Sequence, residues 1–380
     1  MSPTTPPPPP PLPGAFGNPL DDWPNEDLLF EQKHRDFVRR RHPRAAPILD
    51  WPELRALFAA HDPEAGRFRS RSRRLGVVAV ALGGASLVLA AFLGAIQQAA
   101  PGWAPYLAAL AALLAVASGA TGFSGVLSGR DKARWLAHRF WTERMRQLHF
   151  QLIANNLPLA ARAMADPSRI AEWERLRAEV LDGFEHAYMG PIVEALERMR
   201  RDLAEDQPWI APAWAGAAEA PAPGSEADEL FHLLRLQRFG IQRRYATYKL
   251  KEGAHSPRTR SRWVHGGADA MTVLALLTSA ALGLLYVLLE PGAPALPILA
   301  GVGGMLAGLI LALRVLAEGL QLKSETERYE WYLAAVDSLE RRYEAGDGEA
   351  KVALLRDMER LSYQELRWFT TSFDESRFVM

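Results

Sequence analysis

The chain has 380 residues, with 44 Lys+Arg balancing 44 Asp+Glu, and no cysteine. Disulfides, thiolate metal sites and thiol catalysis are therefore excluded, and the neutral balance gives no ground for a protein that coats nucleic acid. A mean hydropathy of −0.10 hides an uneven distribution, in which four apolar stretches are set in a polar, helix-forming remainder.

The chain opens on Ser2–Pro13, which contains PPPPPPLP from Pro6. This reads as a polyproline II tail with too little apolar content to fold, and residues 1–24 are expected to be disordered. The tail is proline-rich rather than basic and then apolar, so no secretory signal is expected and the spans would direct insertion. Asn25–Arg41 has helical potential, with Leu28, Leu29 and Phe37 available for contacts. Asp50-Trp51-Pro52-Glu53 predicts a helix start, Asp50 as cap and Pro52 in the first turn, running through Leu54, Leu57 and Phe58.

Leu75–Ile96 and Tyr106–Leu127 carry no charge and flank the turn Gln97–Pro105. Each is long enough for a helix to cross a hydrocarbon core of roughly 30 Å. In the second span Ser118, Thr121, Ser124 and Ser128, with Gly122, Gly125 and Gly129, fall mainly on one helical side. Such a stripe serves close helix packing, with Gly125 and Gly129 as contact points. The other reading is a hydroxyl-lined water path in an oligomer, with Thr121, Ser124 and Ser128 as pore candidates.

From Arg130 to about Ala154 the chain should stay helical, with Trp141, Met145, Leu148 and Leu152 forming one apolar stripe. On the same stretch Arg134, His138, Arg146 and His149 share a sector, with Trp135, Phe140 and Trp141 nearby. Arg and His can hold phosphates while an aromatic ring stacks on a base, which makes these four ligand candidates. The plainer reading is basic residues meeting anionic lipid. Asp166-Pro167 offers another helix start, and Gly190-Pro191 an interruption. Gln207–Asp228 is rich in Pro, Ala and Gly and reads as a linker between two halves.

The second half repeats the layout. An entry helix, Glu229–Lys251, leads to spans at about 268–289 and 297–317, separated by PGAPALP. Gly304 and Gly308 form a small-xxx-small pair for helix packing. Arg314, with Glu318 four residues on, closes the last span. Arg314 either snorkels or pairs locally with Glu318, or the two belong to a charged ring at a pore mouth. The exit helix is expected to run on to about Tyr343, with Tyr332, Val336, Leu339 and Tyr343 on one face, until Gly346-Asp347-Gly348 stops it. A last helix, Glu349–Thr371, presents Leu354, Met358, Leu361 and Trp368.

Arg67, Arg69, Arg71, Arg73, Arg74, Arg130, Lys132, Arg134, Arg258, Arg260, Arg262 and Lys323 flank the spans, and neither turn has a Lys or Arg. The positive-inside rule then places both termini in the cytoplasm. The fold class is all-α: an integral membrane protein with two tandem transmembrane helical hairpins, four spans in all, and long cytoplasmic helices. Its units would be 25–206 and 229–380.

No H-E-x-x-H, Walker A or G-x-S-x-G sequence is present. His138 and His149 lie three turns apart without a third ligand. No catalytic residue, structural metal or other cofactor is expected.

Leu234–Gly253 (LRLQRFGIQRRYATYKLKEG), Gly319–Glu344 (GLQLKSETERYEWYLAAVDSLERRYE) and the ending LSYQELRWFTTSFDESRFVM resemble the SLATT family. These are helical-hairpin membrane proteins that accompany nucleotide-signalling genes in prokaryotic conflict systems. The resemblance covers about residues 229–380; the first half, with WLAHRFWTERMRQLHFQL after its hairpin, is similar to a divergent copy. It implies an antiphage effector in the inner membrane that forms a pore when a nucleotide or oligonucleotide messenger, made by a partner synthase, reports infection. The partners expected are the lipid bilayer and further copies of the chain, with a tetramer as working number. A non-conducting scaffold or sensor that recruits a cytoplasmic partner is the alternative, and a membrane-embedded enzyme the third reading.

Overall fold

The computed structural model describes residues 26–124, 129–213, 219–251, 256–288, 293 and 295–375. Among them every regular element is helical and none is a strand. The polyproline expectation, and those for Gly125 and Ser128, lie outside the described residues.

The chain gathers into two compact units. One comprises Met1–Pro63, Ala137–Lys251 and Glu327–Phe369, the other Glu64–Leu136, Glu252–Thr326 and Thr370–Met380. Each unit draws on both 25–206 and 229–380, and the segment 207–228 lies inside the first unit. The physical reason is segregation by environment: the uncharged stretches of both halves collect in one unit and the charged helices of both in the other.

In the first unit, α1 (Gln32–Arg41) and the short α2 (Ala46–Leu49) lead to α3 (Pro52–Ala99). Helix α3 starts at Pro52, where the sequence predicts it. Asp50, however, gives its carboxylate to Arg39 (3.0 Å) and Arg55 instead of capping. The helix then continues through Pro63 as far as Ala99.

Helix α5 (Arg130–Asn155) supplies the middle of this core. Trp141, Met145, Leu148 and Leu152 are all buried, as the periodicity predicts. The opposite face is buried too, with Thr142, Arg144, Arg146, Gln147, His149 and Gln151 inside. Buried polar groups need partners. Arg144 donates to Gln147 (2.8 Å), the Tyr188 hydroxyl (3.0 Å), Asp202 (3.3 Å) and the carbonyls of Gln207 and Pro208 (3.2 Å each). Gln151 donates to Pro208 O (2.8 Å) and accepts from Ile210 N (2.9 Å). The Pro-rich segment after Asp206 is thereby docked on α5.

Around α5 come α6 (Leu157–Ala165), α7 (Ile170–Tyr188) and α8 (Ile192–Ala204). Asp166 accepts from Ser168 N at 3.0 Å, starting the turn into α7 at the predicted Asp-Pro. Gly190-Pro191 separates α7 from α8. Next, α9 (Ser225–Leu234) and α10 (Ile241–Leu250) are joined by a π-helical turn, Arg235–Gly240, which buries four consecutive residues from Gln237 to Gly240. Helix α11 spans Pro257–Leu288 and α12 Ala295–Leu320.

The expected continuous exit helix is broken. Gln321 takes φ 50, unfavourable for a residue with a Cβ, and α13 (Leu322–Ala345) begins after it. Helix α14 (Gly348–Glu375) follows, with Asp347 accepting from Ala350 N at 2.9 Å.

Among the described residues four helices are long and apolar enough to cross a membrane: α3, α4 (Ala104–Gly122), α11 and α12 with its continuation. Such helices make this a membrane protein by length and composition. Aromatic side chains mark the ends of α11: Trp263 is 78% and Tyr286 70% exposed. At a rise of about 1.5 Å per residue they stand about 35 Å apart, the spacing of an interfacial aromatic belt.

Candidate functional site

Span packing in the second unit is set by small residues. Ser118 of α4 donates to Ala79 O of α3 (2.7 Å), and Ser86 of α3 donates back to Ala111 O of α4 (2.7 Å). Each hydroxyl satisfies itself on the neighbouring backbone, where no water is at hand. On α12, a Cβ at Gly301 would lie 2.9 Å from Phe92, one at Gly304 2.9 Å from Ala91, and one at Gly308 3.0 Å from Leu87. All three neighbours are on α3, so Gly304 and Gly308 sit on an α3–α12 seam.

Thr121 donates to Ala117 O (2.6 Å) and Ser124 to Thr121 O (3.1 Å), both within their own helix turn. Within one chain these hydroxyls point their donors at the backbone rather than into a lumen. Gly129 corrects the packing expectation: its φ is +65 and a Cβ there would meet nothing within 4 Å. It serves the turn into α5, because a left-handed φ suits glycine. Arg314 and Glu318 are both exposed, and among the described residues neither side chain has a hydrogen-bond or ion-pair partner. The local Arg314–Glu318 pair is therefore not formed.

The four ligand candidates on α5 do not make one surface. Arg134 belongs to the second unit, exposed, its guanidinium 5.3 Å from the Phe68 ring centre. His138 faces His61 with the two Nδ1 atoms 3.0 Å apart, and Trp141 stands edge-on to both rings. Burial, then His138, lowers His61 to about 4. Arg146 is buried against Glu143 (3.0 Å), Asp27 (3.5 Å) and the face of Phe58. His149 is buried with neither ring nitrogen hydrogen-bonded, and burial lowers it to about 3. Angular position on a helix predicts a shared exposed face only if that face meets solvent, and α5 is enclosed.

What the sequence reading missed is a buried charged cluster. Arg238, placed by the π-helical turn, forms a two-bonded pair with Glu359 of α14 (2.6 and 3.0 Å) and lies 4.6 Å from the Phe150 ring centre. Arg139 and Glu143 pair at 2.6 Å, and Arg328 and Glu365 at 3.1 Å. Burial raises Asp27, and raises Glu359 to about 7, against the opposing pull of the arginines. For Glu143 burial also acts upward, but Arg139 and Arg146 outweigh it and hold the carboxyl below its ordinary value. Arg238 and Glu359 lie 121 residues apart and leave no local signal; a basic residue beside a π-turn is visible only once the backbone is known.

The first unit also has a cleft of about 590 Å³, lined by Arg39, Pro47, Trp51, Glu53, Glu174 and Arg177 among others. Arg177 donates to the carbonyls of Pro47 (3.1 Å) and Asp50 (2.8 Å), and its Nε is buried without a partner. Two arginines there face Asp50, Glu53 and Glu174, so the cleft has none of the positive excess that a phosphate needs.

No protein-family model, no curated protein and no solved structure matches the chain.

Proposed function

We propose that this chain is a SLATT-like membrane effector of a prokaryotic antiphage defence system. Its spans form two tandem hairpins in the inner membrane with both termini in the cytoplasm, and several copies, four as working number, surround a pore. A nucleotide messenger or a partner acts on the cytoplasmic helices, and opening depolarises the cell and arrests growth. Such a ligand must bind the open and closed states with different affinity, since equal binding shifts nothing.

One observation carries this reading. The most apolar window of α11 has none of its residues buried within the chain, and the windows of α3, α4 and α12 have few. A span surface this open has lipid or another copy as its remaining neighbour. Arg314 and Glu318, both exposed near the end of α12 and without an ion-pair partner among the described residues, are suited to a charged ring at a pore mouth.

The test is ion flux from vesicles holding the purified full chain, with cellular membrane potential read beside it. Wild-type depolarisation altered by Arg314→Glu is the expected result. A polarised membrane in cells with the accompanying signal system triggered, together with tight vesicles, would sink the channel.

A second reading, the non-conducting scaffold or sensor, is favoured by the hydroxyls of Ser86, Ser118 and Thr121, all committed to backbone carbonyls. Under it Arg314→Glu leaves activity unchanged.

A further inference from the structure

The cleft of the first unit holds an arginine whose hydrogen-bonding capacity is only partly used. Its walls come from α1, α2, the start of α3 and α7. Arg177 of α7 is 6% exposed, and a charge so buried is costly unless it is bonded. Its Nη1 donates to Pro47 O (3.1 Å) and Asp50 O (2.8 Å), and its central carbon lies 5.6 Å from the Trp51 ring centre. Nε is buried with no partner, and among the described residues no hydrogen bond leaves Nη2. The Nε–Nη2 edge is therefore the part of the guanidinium for which the protein supplies no acceptor. Burial lowers Arg177 below its ordinary value, although Glu53, Glu174 and Asp50 pull it upward.

The carboxylates of the cleft differ in how far they are engaged. Asp50 is taken up by Arg39 (3.0 Å) and Arg55. Glu53, in the first turn of α3, and Glu174, on α7, are both exposed. Among the described residues neither makes a hydrogen bond or an ion pair. With the Arg39–Asp50 pair set aside, the lining offers the guanidinium of Arg177 and the two carboxylates of Glu53 and Glu174. Pro43, Pro47 and Leu181 add apolar wall. The matching occupant carries one carboxylate, two cationic nitrogens and an aliphatic stem.

We propose that this cleft binds a free basic amino acid of the lysine type. Its carboxylate accepts from the open edge of Arg177, and its two ammonium groups meet Glu53 and Glu174. Hydrogen bonds between ionised partners are about twice as strong as neutral ones, and a cleft of about 590 Å³ lies in the range of small-molecule sites. Every residue lining it belongs to the first unit. Ion flux has no part in the test, so this site and the channel reading can fail separately.

Isothermal titration calorimetry of the detergent-solubilised full chain compares L-lysine with ligands that each lack one group. Cadaverine has no carboxylate, ε-aminocaproate no α-ammonium and L-norleucine no side-chain ammonium. Lysine should bind most tightly, and cadaverine about ten-fold more weakly, for the lost hydrogen bond to a charged group. In Arg177→Met lysine and cadaverine should bind equally, because the carboxylate has lost its partner. Glu53→Gln and Glu174→Gln should each weaken lysine about two- to five-fold. Glu179→Gln, at an exposed acid of α7 outside the cleft, should leave binding unchanged. The two cleft glutamates are exposed, so their variants keep the test decisive if Arg177→Met fails to fold. If lysine does not bind, or binds no better than cadaverine and norleucine, the cleft is not an amino-acid site. If alanyl-lysine, whose lysine nitrogen is an amide, binds more tightly than lysine with the same dependence on Arg177, the free amino acid is overturned in favour of a peptide C-terminus.

Discussion

Gly308 of α12 approaches Leu87 of α3 so closely that a Cβ on the glycine would stand 3.0 Å from the Leu87 Cβ. Gly304 stands in the same relation to Ala91, at 2.9 Å. Both approaches are to Cβ atoms, which cannot swing away as the tip of a flexible side chain can. Gly304→Val should therefore force the helices apart, at about 1–3 kcal/mol for overpacking. Gly283, with nothing within 4 Å of a Cβ, is the control. Gly283→Ala should be neutral or slightly stabilising, because alanine is the better helix former. Unfolding of the full chain in mixed detergent micelles measures both. Equal loss in the two variants would dismiss the seam.

That seam shows where sequence reading succeeds and where it stops. The Gly304-x-x-x-Gly308 spacing marks a close approach, but nothing local says whether the neighbour is α3, α11 or another copy. The spans themselves were legible because lipid forbids charge over their whole length. On α5 the apolar stripe through Trp141 and Leu152 was legible, while the burial of Arg144, Arg146 and His149 was not. Their partners and neighbours, such as Asp202, Asp27 and Trp51, are distant in sequence. The break at Gln321 was hidden for a different reason. Leu320-Gln321-Leu322-Lys323 consists of good helix formers, so tertiary packing overrides propensity there.

His149 gives the first unit a pH dependence with a defined sign. Its folded value, about 3, is depressed below the ordinary 6.5 by burial. The unfolded chain therefore takes up this proton first. The stability associated with the neutral ring is complete above about pH 6.5 and is lost as pH falls toward 3, by about 1.4 kcal/mol per pH unit. Asp27 and Glu359, both raised by burial, act in the opposite direction, so the wild-type curve alone is a mixture. The difference between wild type and His149→Leu isolates the histidine. Denaturation at pH 7 and pH 5 should show the variant gaining relative to wild type by about 2 kcal/mol at the lower pH. A constant difference would mean that His149 does not stay neutral in the fold.

The Arg238–Glu359 pair should respond asymmetrically to losing one member. Arg238→Met leaves a buried carboxyl that burial already raises to about 7, and it can neutralise itself by taking up a proton. Glu359→Leu leaves a guanidinium that cannot lose its proton, with the Phe150 face and the charge of Asp27 as compensation. Breaking a buried pair typically costs about 3–5 kcal/mol. Glu359→Leu should fall at the upper end and Arg238→Met at the lower. The deficit of Arg238→Met should also shrink between pH 8 and pH 6, as protonation becomes easier. Chemical denaturation at those two pH values checks the order, and a larger loss for Arg238→Met would reverse the argument.

Gln151 is the residue whose removal should free the segment at 207–210 without unfolding the unit. Its amide donates to Pro208 O and accepts from Ile210 N, and the Ile210 side chain is fully buried. Arg144 donates to the same Pro208 carbonyl at 3.2 Å. Gln151→Leu keeps approximate volume but leaves the Ile210 amide without this acceptor, at about 1–3 kcal/mol. The loss falls on one segment while the contacts of α5 with α7 remain, so opening should be local. Chymotrypsin cleavage after Trp209 should then accelerate several-fold at a denaturation midpoint close to that of wild type. Arg144→Met should differ, because it also strips Asp202 and Tyr188 of their shared cation and should lower the global midpoint as well. If Gln151→Leu lowers the midpoint as much as Arg144→Met does, the segment is not a separable strap but part of the cooperative core.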